Sequence, residues 1–579
     1  MIAGALRRGG WPATLALLAA SASCATNEAD APARRFEALR RQYVELFLQQ
    51  HPSLATDLGM HQHDSRLVDL SARALTEGAR QFETLLERLR EIDPGSLAQR
   101  DQIDFALLEA RLRAVKLERR EIRVHETNPM IYPLEISLGL LSLVARPFAS
   151  VEQRMRAAIG RLQAVPALLQ AGRQNLKAPP ELFTRVALDL TRSASDYVAH
   201  EYSGAFGPVK NLELRADFET SRAEAASALR AFESWLETDL LPRSDGDFAL
   251  GLDRLTRKLQ YEEMLDIPVH RMLAWGEAEL AHQREELLRV ASEFRPGAGA
   301  RGALAVLVRE HPSRGEVLEA ATEWMLQARQ FVADHGLLTL PDGPVPQVRE
   351  TPPFLRSTFA SMNAAGPFEA SPLHSYYYLT PPDPDWPRGR VEAYLKEFNH
   401  WLLGIVTLHE TYPGHYVQAL AQRQTGSLLR RVVPVGSYAE GWAHYCEQMM
   451  LEEGYGDGDV RLRLAQLKDS LLRLCRLVAA VRLHTRGMTL DEATRLFIEE
   501  AFMEPLPARQ EAERGAYDPG YLVYALGKMQ ILKLREDLRA LQGEQFTLRD
   551  FHDRLLSEGE LPIPLLRRIL LPEHAGTSL

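Results

Sequence analysis

The sequence predicts a mainly α-helical protein: one large multi-helix domain over residues 35–575, with room for two lobes around a deep cleft and a short strand or small sheet near 370–380. Three observations predict it. Apolar residues recur at three- and four-residue spacing, with charged faces between, over most of the chain. The interruptions carry helix-end chemistry, and a single region dense in Pro and Gly departs from the helical period.

The helical runs are Arg35–Gln49, Ala72–Ile92, Gln102–Arg119, Val151–Leu176, Ser221–Leu240, Pro268–Phe294, Arg314–His335 and Asp459–Arg486. Pro166 is expected to kink or split the fourth, because it removes a hydrogen bond and crowds the preceding turn. Asp93-Pro94-Gly95, Lys177-Ala178-Pro179-Pro180 and Arg295-Pro296-Gly297 supply breaks. The exceptional region is Pro341–Pro387. It contains the β-favouring run His374-Ser375-Tyr376-Tyr377-Tyr378-Leu379-Thr380, which reads as a core strand or as a place for an extended ligand to add beside it. No internal repeat and no linker divides the chain, which excludes a solenoid.

Of 579 residues, 45% are apolar, 25% charged and 8% aromatic, the balance of an ordinary folded protein. A net charge of -10 lacks the basic footprint of a nucleic-acid binder. Residues 1–24 read as an export signal: Arg7 and Arg8, then an apolar stretch Trp11–Ala20 too short to span a bilayer, then Ala20, Ser21, Ala22 and Ser23. Cleavage before Cys24 would give an envelope-anchored lipoprotein, attached to a membrane only through a lipid on that cysteine. Cleavage before Ser23 would give a soluble periplasmic protein. The remaining cysteines, Cys446 and Cys475, could pair but read more simply as buried thiols.

The chemistry concentrates in Leu408-His409-Glu410-Thr411-Tyr412-Pro413-Gly414-His415. The preceding Trp401–Leu408 segment is apolar all round, so His409 and Glu410 enter the interior together, and a metal ion would supply the partner a buried carboxylate needs. In zinc sites of the H-E-x-x-H type the two histidines stand four apart on one helical face. Here the step is 415 − 409 = 6. It turns a regular helix by about 600° and leaves the rings about 120° apart. Pro413 and Gly414 must break the helix, and that break can return His415 to the face of His409.

A catalytic zinc needs a third protein ligand. Glu440, 440 − 415 = 25 residues on, is the candidate. Glu440, His444 and Glu447 follow at i, i+4 and i+7, so His444 and Glu447 could orient a ligand imidazole from the same helix face. Further along, Tyr521, Tyr524 and Lys528 share one face of a helix expected after Pro519-Gly520, and Arg514 could pair with a substrate carboxylate or brace a helix.

His409-Glu410-x-x-Pro413-Gly414-His415 followed by Glu440-Gly441-Trp442-Ala443-x-Tyr445-x-Glu447 resembles the bacterial "domain of unknown function 885" family. The resemblance runs from about Phe36 to about Pro572. It includes Pro52-x-x-Ala55-Thr56-x-Leu58-Gly59, Tyr517-x-Pro519-Gly520 and Tyr524-x-x-Gly527-Lys528. Family members commonly carry a second histidine after Pro-Gly-His, where this chain has Tyr416. They are regarded as helical metallopeptidases of the gluzincin kind. The resemblance therefore implies a zincin-like fold, one Zn2+ held by His409, His415 and Glu440, Glu410 as general base, and Tyr524 as the group that reaches the substrate carbonyl. The expected activity is zinc-dependent hydrolysis of short peptides. Hydrolysis of non-peptide amides or esters, and an exported binding or scaffold protein with a relict metal site, are the alternatives.

Overall fold

The computed structural model describes residues 14–352, 356, 358–370 and 373–572, with side chains from Pro32 onward. The export signal of residues 1–24 and a lipid on Cys24 lie outside these: residues 1–13 are not described, and residues 14–31 only as helical backbone. Among the described residues no helix is long and apolar enough to cross a membrane.

The fold is mainly helical, as the periodicity predicts. The first helix, α1 (Thr14–Gln50), contains the expected 35–49 run. The helices Ala72–Arg90 and Gln99–Leu117 follow, each within a few residues of its predicted span. Next come α2 (Ile131–Val144), α3 (Val151–Asn175), α4 (Glu181–Asp196) and α5 (Leu212–Trp235). Helix α3 opens on a capping box between Ser150 and Gln153 and is not split at Pro166. An internal proline costs a helix about 3 kcal/mol. Leu162, Val165, Leu168 and Leu169, all buried, surround it, and each contributes about 1.5–3 kcal/mol when fully buried. Packing outweighs the lost hydrogen bond.

Helices α6 (Val269–Phe294) and α7 (Val317–Asp334) lead to the Pro/Gly-dense region. Beyond it lie α8 (His400–Glu410), α9 (His415–Gln424), α10 (Gly436–Glu452), α11 (Val460–Thr485), α12 (Pro505–Tyr517) and α13 (Val523–Gln542). The buried apolar side chains fall into two clusters. The smaller is built on α2–α5, with Tyr132, Leu140, Leu162, Phe218 and Phe232 at its centre. The larger takes in α6, α7, α8, α10, α11 and α13. Helix α12 joins them: Ala508 and Ala512 pack into the larger cluster and Ala516 into the smaller. Cys446 and Cys475 are buried free thiols in the larger cluster.

The predicted strand forms as β3 (Tyr376–Leu379), in a three-stranded sheet with β1 (Gln347–Glu350) and β2 (Ala360–Asn363) in the order β1-β3-β2. β1 pairs with β3 parallel and β2 pairs with it antiparallel, so Val348 and Met362 both neighbour Tyr377. β3 is thus central and buried along its whole length. This is the core strand that the run of tyrosines predicts, and it removes the alternative of an extended ligand adding beside Tyr376–Tyr378, because both edges are already hydrogen-bonded. The Tyr377 hydroxyl instead lies 3.1 Å from Thr407 Oγ1 and ties the sheet to α8.

Candidate metal centre

Helix α8 begins where Asn399 accepts a hydrogen bond from the Leu402 N–H at 3.0 Å, an N-cap, and it drives Trp401, Leu403, Ile405 and Leu408 into the core. His409 and Glu410 enter with them, 5% and 8% exposed. The helix stops at Glu410. Residues 411–414 form a turn with a cis Tyr412–Pro413 peptide, and α9 starts afresh at His415. The break is therefore complete, two helices instead of one kinked helix. Gly414 makes it possible: its N–H reaches Leu408 O at 3.1 Å, and a Cβ there would lie 1.8 Å from His409 O. Trp442 Nε1 donates to Pro413 O at 2.9 Å and fixes the turn against α10. The outcome is that the His409 and His415 rings face each other, centroids 4.8 Å apart and planes at 89°.

Helix α10 brings Glu440 to the two rings. Gly441 and Gly527 let α10 and α13 touch backbone to backbone. A Cβ on Gly441 would sit 2.5 Å from Gly527 Cα, and one on Gly527 would sit 1.9 Å from Ser437 O. That contact sets Tyr524, one turn before Gly527, beside His409 with ring centroids 6.4 Å apart and nearly parallel. Glu440 Oε2 stands 3.4 Å from His409 Nε2 and 3.4 Å from His415 Nε2. It is buried and makes no hydrogen bond to either. The ligand atoms of His409, His415 and Glu440 all fall within 4.8 Å of one another. Ligands at about 2.0–2.2 Å from a tetrahedral zinc lie roughly 3.4 Å apart, so the donor set and the two Glu440–imidazole distances fit such an ion. With side chains 20% and 27% exposed, His415 and Glu440 leave that side open to solvent.

Behind the triad, Glu447 is fully buried with Oε1 2.7 Å from His409 Nδ1, the contact that turns the other ring nitrogen toward Glu440. Arg473 Nη2 holds the same oxygen at 3.0 Å and pairs in turn with Asp469. Burial alone would lower the His409 pKa; Glu440 and Glu447 outweigh it and lift it to about 9. A cation is therefore favoured between these carboxylates, and a metal would enter in exchange for a proton.

The other predicted residues divide. Glu410 ends α8 beside His409, and among the described residues no hydrogen bond or ion pair holds its carboxylate. Tyr524 is pushed up to about 12 by burial, reinforced by Glu440 and opposed by Arg476 and Arg514, so it stays a hydroxyl donor at neutral pH. His444 and Lys528 do not reach the ligand atoms. Lys528 Nζ lies 3.3 Å from His444 Nε2 and 3.4 Å from Ser470 Oγ, a buried group that ties α10, α11 and α13 together. Burial lowers the Lys528 pKa to about 8, against the pull of Glu447. Tyr521 departs from the expected shared face. Pro519–Leu522 is a 3₁₀ turn and α13 begins only at Val523, so Tyr521 turns inward against Gly515 of α12. Arg514, in the last turn of α12, reaches Asp518 Oδ2 at 3.2 Å.

Sequence reasoning missed Arg473 and Asp469. Their signal was present: Asp469, Arg473 and Arg476 repeat at four- and three-residue steps along a helix otherwise dense in Leu, Ala and Val.

The protein is thus a mainly helical fold that brings a half-buried His-His-Glu cluster together across a Pro-Gly break. Over residues 52–570 the chain matches the family described as bacterial protein of unknown function (DUF885), and it belongs to that family. Two solved structures share the fold. One, a candidate lipoprotein of unknown function from Shewanella oneidensis, is 25% identical, with a TM-score of 0.76 over 93% of this chain and 99% of its own. The other, a candidate lipoprotein from Colwellia psychrerythraea, is 19% identical, with a TM-score of 0.78 over 93% of this chain and 98% of its own. No curated protein matches the chain in sequence.

Proposed function

We propose that the protein is an exported zinc-dependent peptidase acting on short peptides. One observation carries the reading: a buried carboxylate oxygen with no hydrogen bond, Glu440 Oε2, stands at the same 3.4 Å from two imidazole nitrogens. Among the described residues the two imidazoles are its only partners and neither makes a hydrogen bond to it, so a cation at the focus of the three groups would serve the carboxylate better than either ring does. Export rests on residues 1–24, and the description of both structural relatives as candidate lipoproteins supports it.

His409, His415 and Glu440 would hold zinc, which when bound supplies a Lewis acid for the substrate carbonyl and acidifies a water. The chain's own groups do the rest. Glu410 accepts a proton from the attacking water and returns it to the leaving amine. The Tyr524 hydroxyl donates to the carbonyl oxygen as negative charge develops there. Glu447, held by Arg473, accepts a hydrogen bond from the His409 Nδ1–H and keeps Nε2 aimed at the metal position. Gln at position 447 keeps the shape but not the charge. Glu447→Gln is expected to weaken zinc affinity about 10–100-fold in competition with a chromogenic chelator, and an unchanged affinity would remove Glu447 from the account.

The activity itself is tested with a panel of short peptides and acyl esters. Peptides are expected to be cut, with activity lost to a chelator and restored by added zinc. Cleavage of esters alone, or of nothing in the panel, overturns the peptidase reading.

A further inference from the structure

Three guanidinium groups surround Tyr524, and they are not equally engaged. Arg473 is taken up by Glu447 and Asp469. Arg476, its Cζ 5.2 Å from the Tyr524 ring, is saturated differently: Nε and Nη2 fork onto the two oxygens of Glu511 at 2.8 and 2.7 Å, with both side chains less than a fifth exposed. That is a closed bidentate pair. Arg514 differs from both. Its Nε and Nη2 share a single oxygen, Asp518 Oδ2, at a long 3.2 Å each. Its side chain is 33% exposed and that of Asp518 is 37% exposed. Its Cζ lies 5.9 Å from the Tyr521 ring, and its charge acts on the nearby Tyr524 hydroxyl, pulling the Tyr524 pKa down.

We propose that Arg514 is the anchor for a substrate's terminal carboxylate, which makes the substrates peptides with a free C-terminus and the product a short C-terminal fragment. The inference rests on the peptidase reading above and names its substrate class. A planar guanidinium with a loosely held fork accepts an incoming carboxylate bidentately. The exchange is easy because Asp518, already a third in water, can return to it. Position sets the fragment length. Tyr524 stacks its ring beside His409 at 6.4 Å, and its hydroxyl is within the electrostatic reach of Arg514. A peptide whose scissile carbonyl takes the Tyr524 hydrogen bond then has its terminus about one or two residues away, at roughly 3.3–3.6 Å of extended chain per residue. In hydrolysis the C–N bond breaks, water gives its hydroxyl to the acyl carbon, and the proton goes to the released amine of that fragment. A C-terminal amide, an ester cap or a long downstream chain cannot present the charge there.

Binding and cleavage are measured on the same pair of ligands, N-acetyl-Ala-Ala-Ala and its C-terminal amide. In calorimetry on the zinc-loaded Glu410→Gln protein, where turnover is slowed at least about 100-fold, the free acid is expected to bind at least about tenfold more tightly than the amide, the scale of a charge-assisted hydrogen bond. Adding Arg514→Met is expected to erase that ratio, and Arg514→Lys to restore part of it. The acid-to-amide ratio of kcat/KM in the unmodified protein is expected to show the same preference. Equal binding of acid and amide, or a preference that survives Arg514→Met, overturns the proposal. Should the variant not fold, the acid–amide comparison in the Glu410→Gln protein still decides. Failure of the peptidase reading looks different: the free acid binds preferentially and nothing is cut. Failure of the anchor alone leaves both forms cut at equal rates.

Discussion

Glu410→Gln is expected to lower kcat for peptide cleavage by about 10²–10⁴-fold while the protein keeps its zinc. The separation of the two effects is the informative part. Glu410 follows His409 at the end of α8, is buried, and is not one of the three converging groups. Gln has the same size and fits the same half-sealed site, but it cannot accept the proton of the attacking water. Metal content should therefore match the unmodified protein and only turnover should fall. Steady-state kinetics beside metal analysis of the same preparation check both halves. Undiminished cleavage removes Glu410 from the chemistry. Lost zinc would move it from base to ligand and force a new assignment of the site.

Tyr524→Phe is the second large effect, about 10²–10³-fold in kcat with little change in KM. The ring is set by the Gly441–Gly527 contact and by its parallel placement beside His409, and Phe preserves both. Only the hydroxyl is deleted. With a pKa pushed up to about 12, that hydroxyl remains a donor at neutral pH. Its loss is felt when charge develops on the carbonyl oxygen, not when substrate binds, which is why kcat takes the effect. A rise in KM alone, with kcat intact, would make Tyr524 a substrate contact and leave the oxyanion without a protein donor.

Local chemistry was legible in the sequence where one short segment encoded it. The six-residue step from His409 to His415 is wrong for a helix, and Pro413-Gly414 between them announces the correction. The turn has the predicted purpose, though it is a complete break because the close approach of Gly414 to His409 O ends the helix. The central strand at 376–379 was also legible, from its run of tyrosines. Its place between two partners was not, since β1 and β2 are short, weakly patterned segments whose pairing depends on the packing of α8 and α7. Tyr521 and Tyr524 look equivalent at i and i+3. A 3₁₀ turn at Pro519 rotates one into the core and leaves the other at the site. Arg473 and Asp469 went unread because a charged pair at i, i+4 on a helix is ordinarily a solvated face. Only the partner helix α10, with Glu447 buried against them, shows that this face points inward.

The central claim is that His409, His415 and Glu440 hold a zinc ion, and metal analysis of purified protein tests it most directly. Mass spectrometry of the intact, desalted chain and of His415→Ala and Glu440→Ala, with helicity followed by circular dichroism, gives the answer in one experiment. About one zinc per chain is expected in the unmodified protein, and none in either variant at unchanged helicity. An unmodified protein that takes up no zinc, or variants that keep it, would contradict the account.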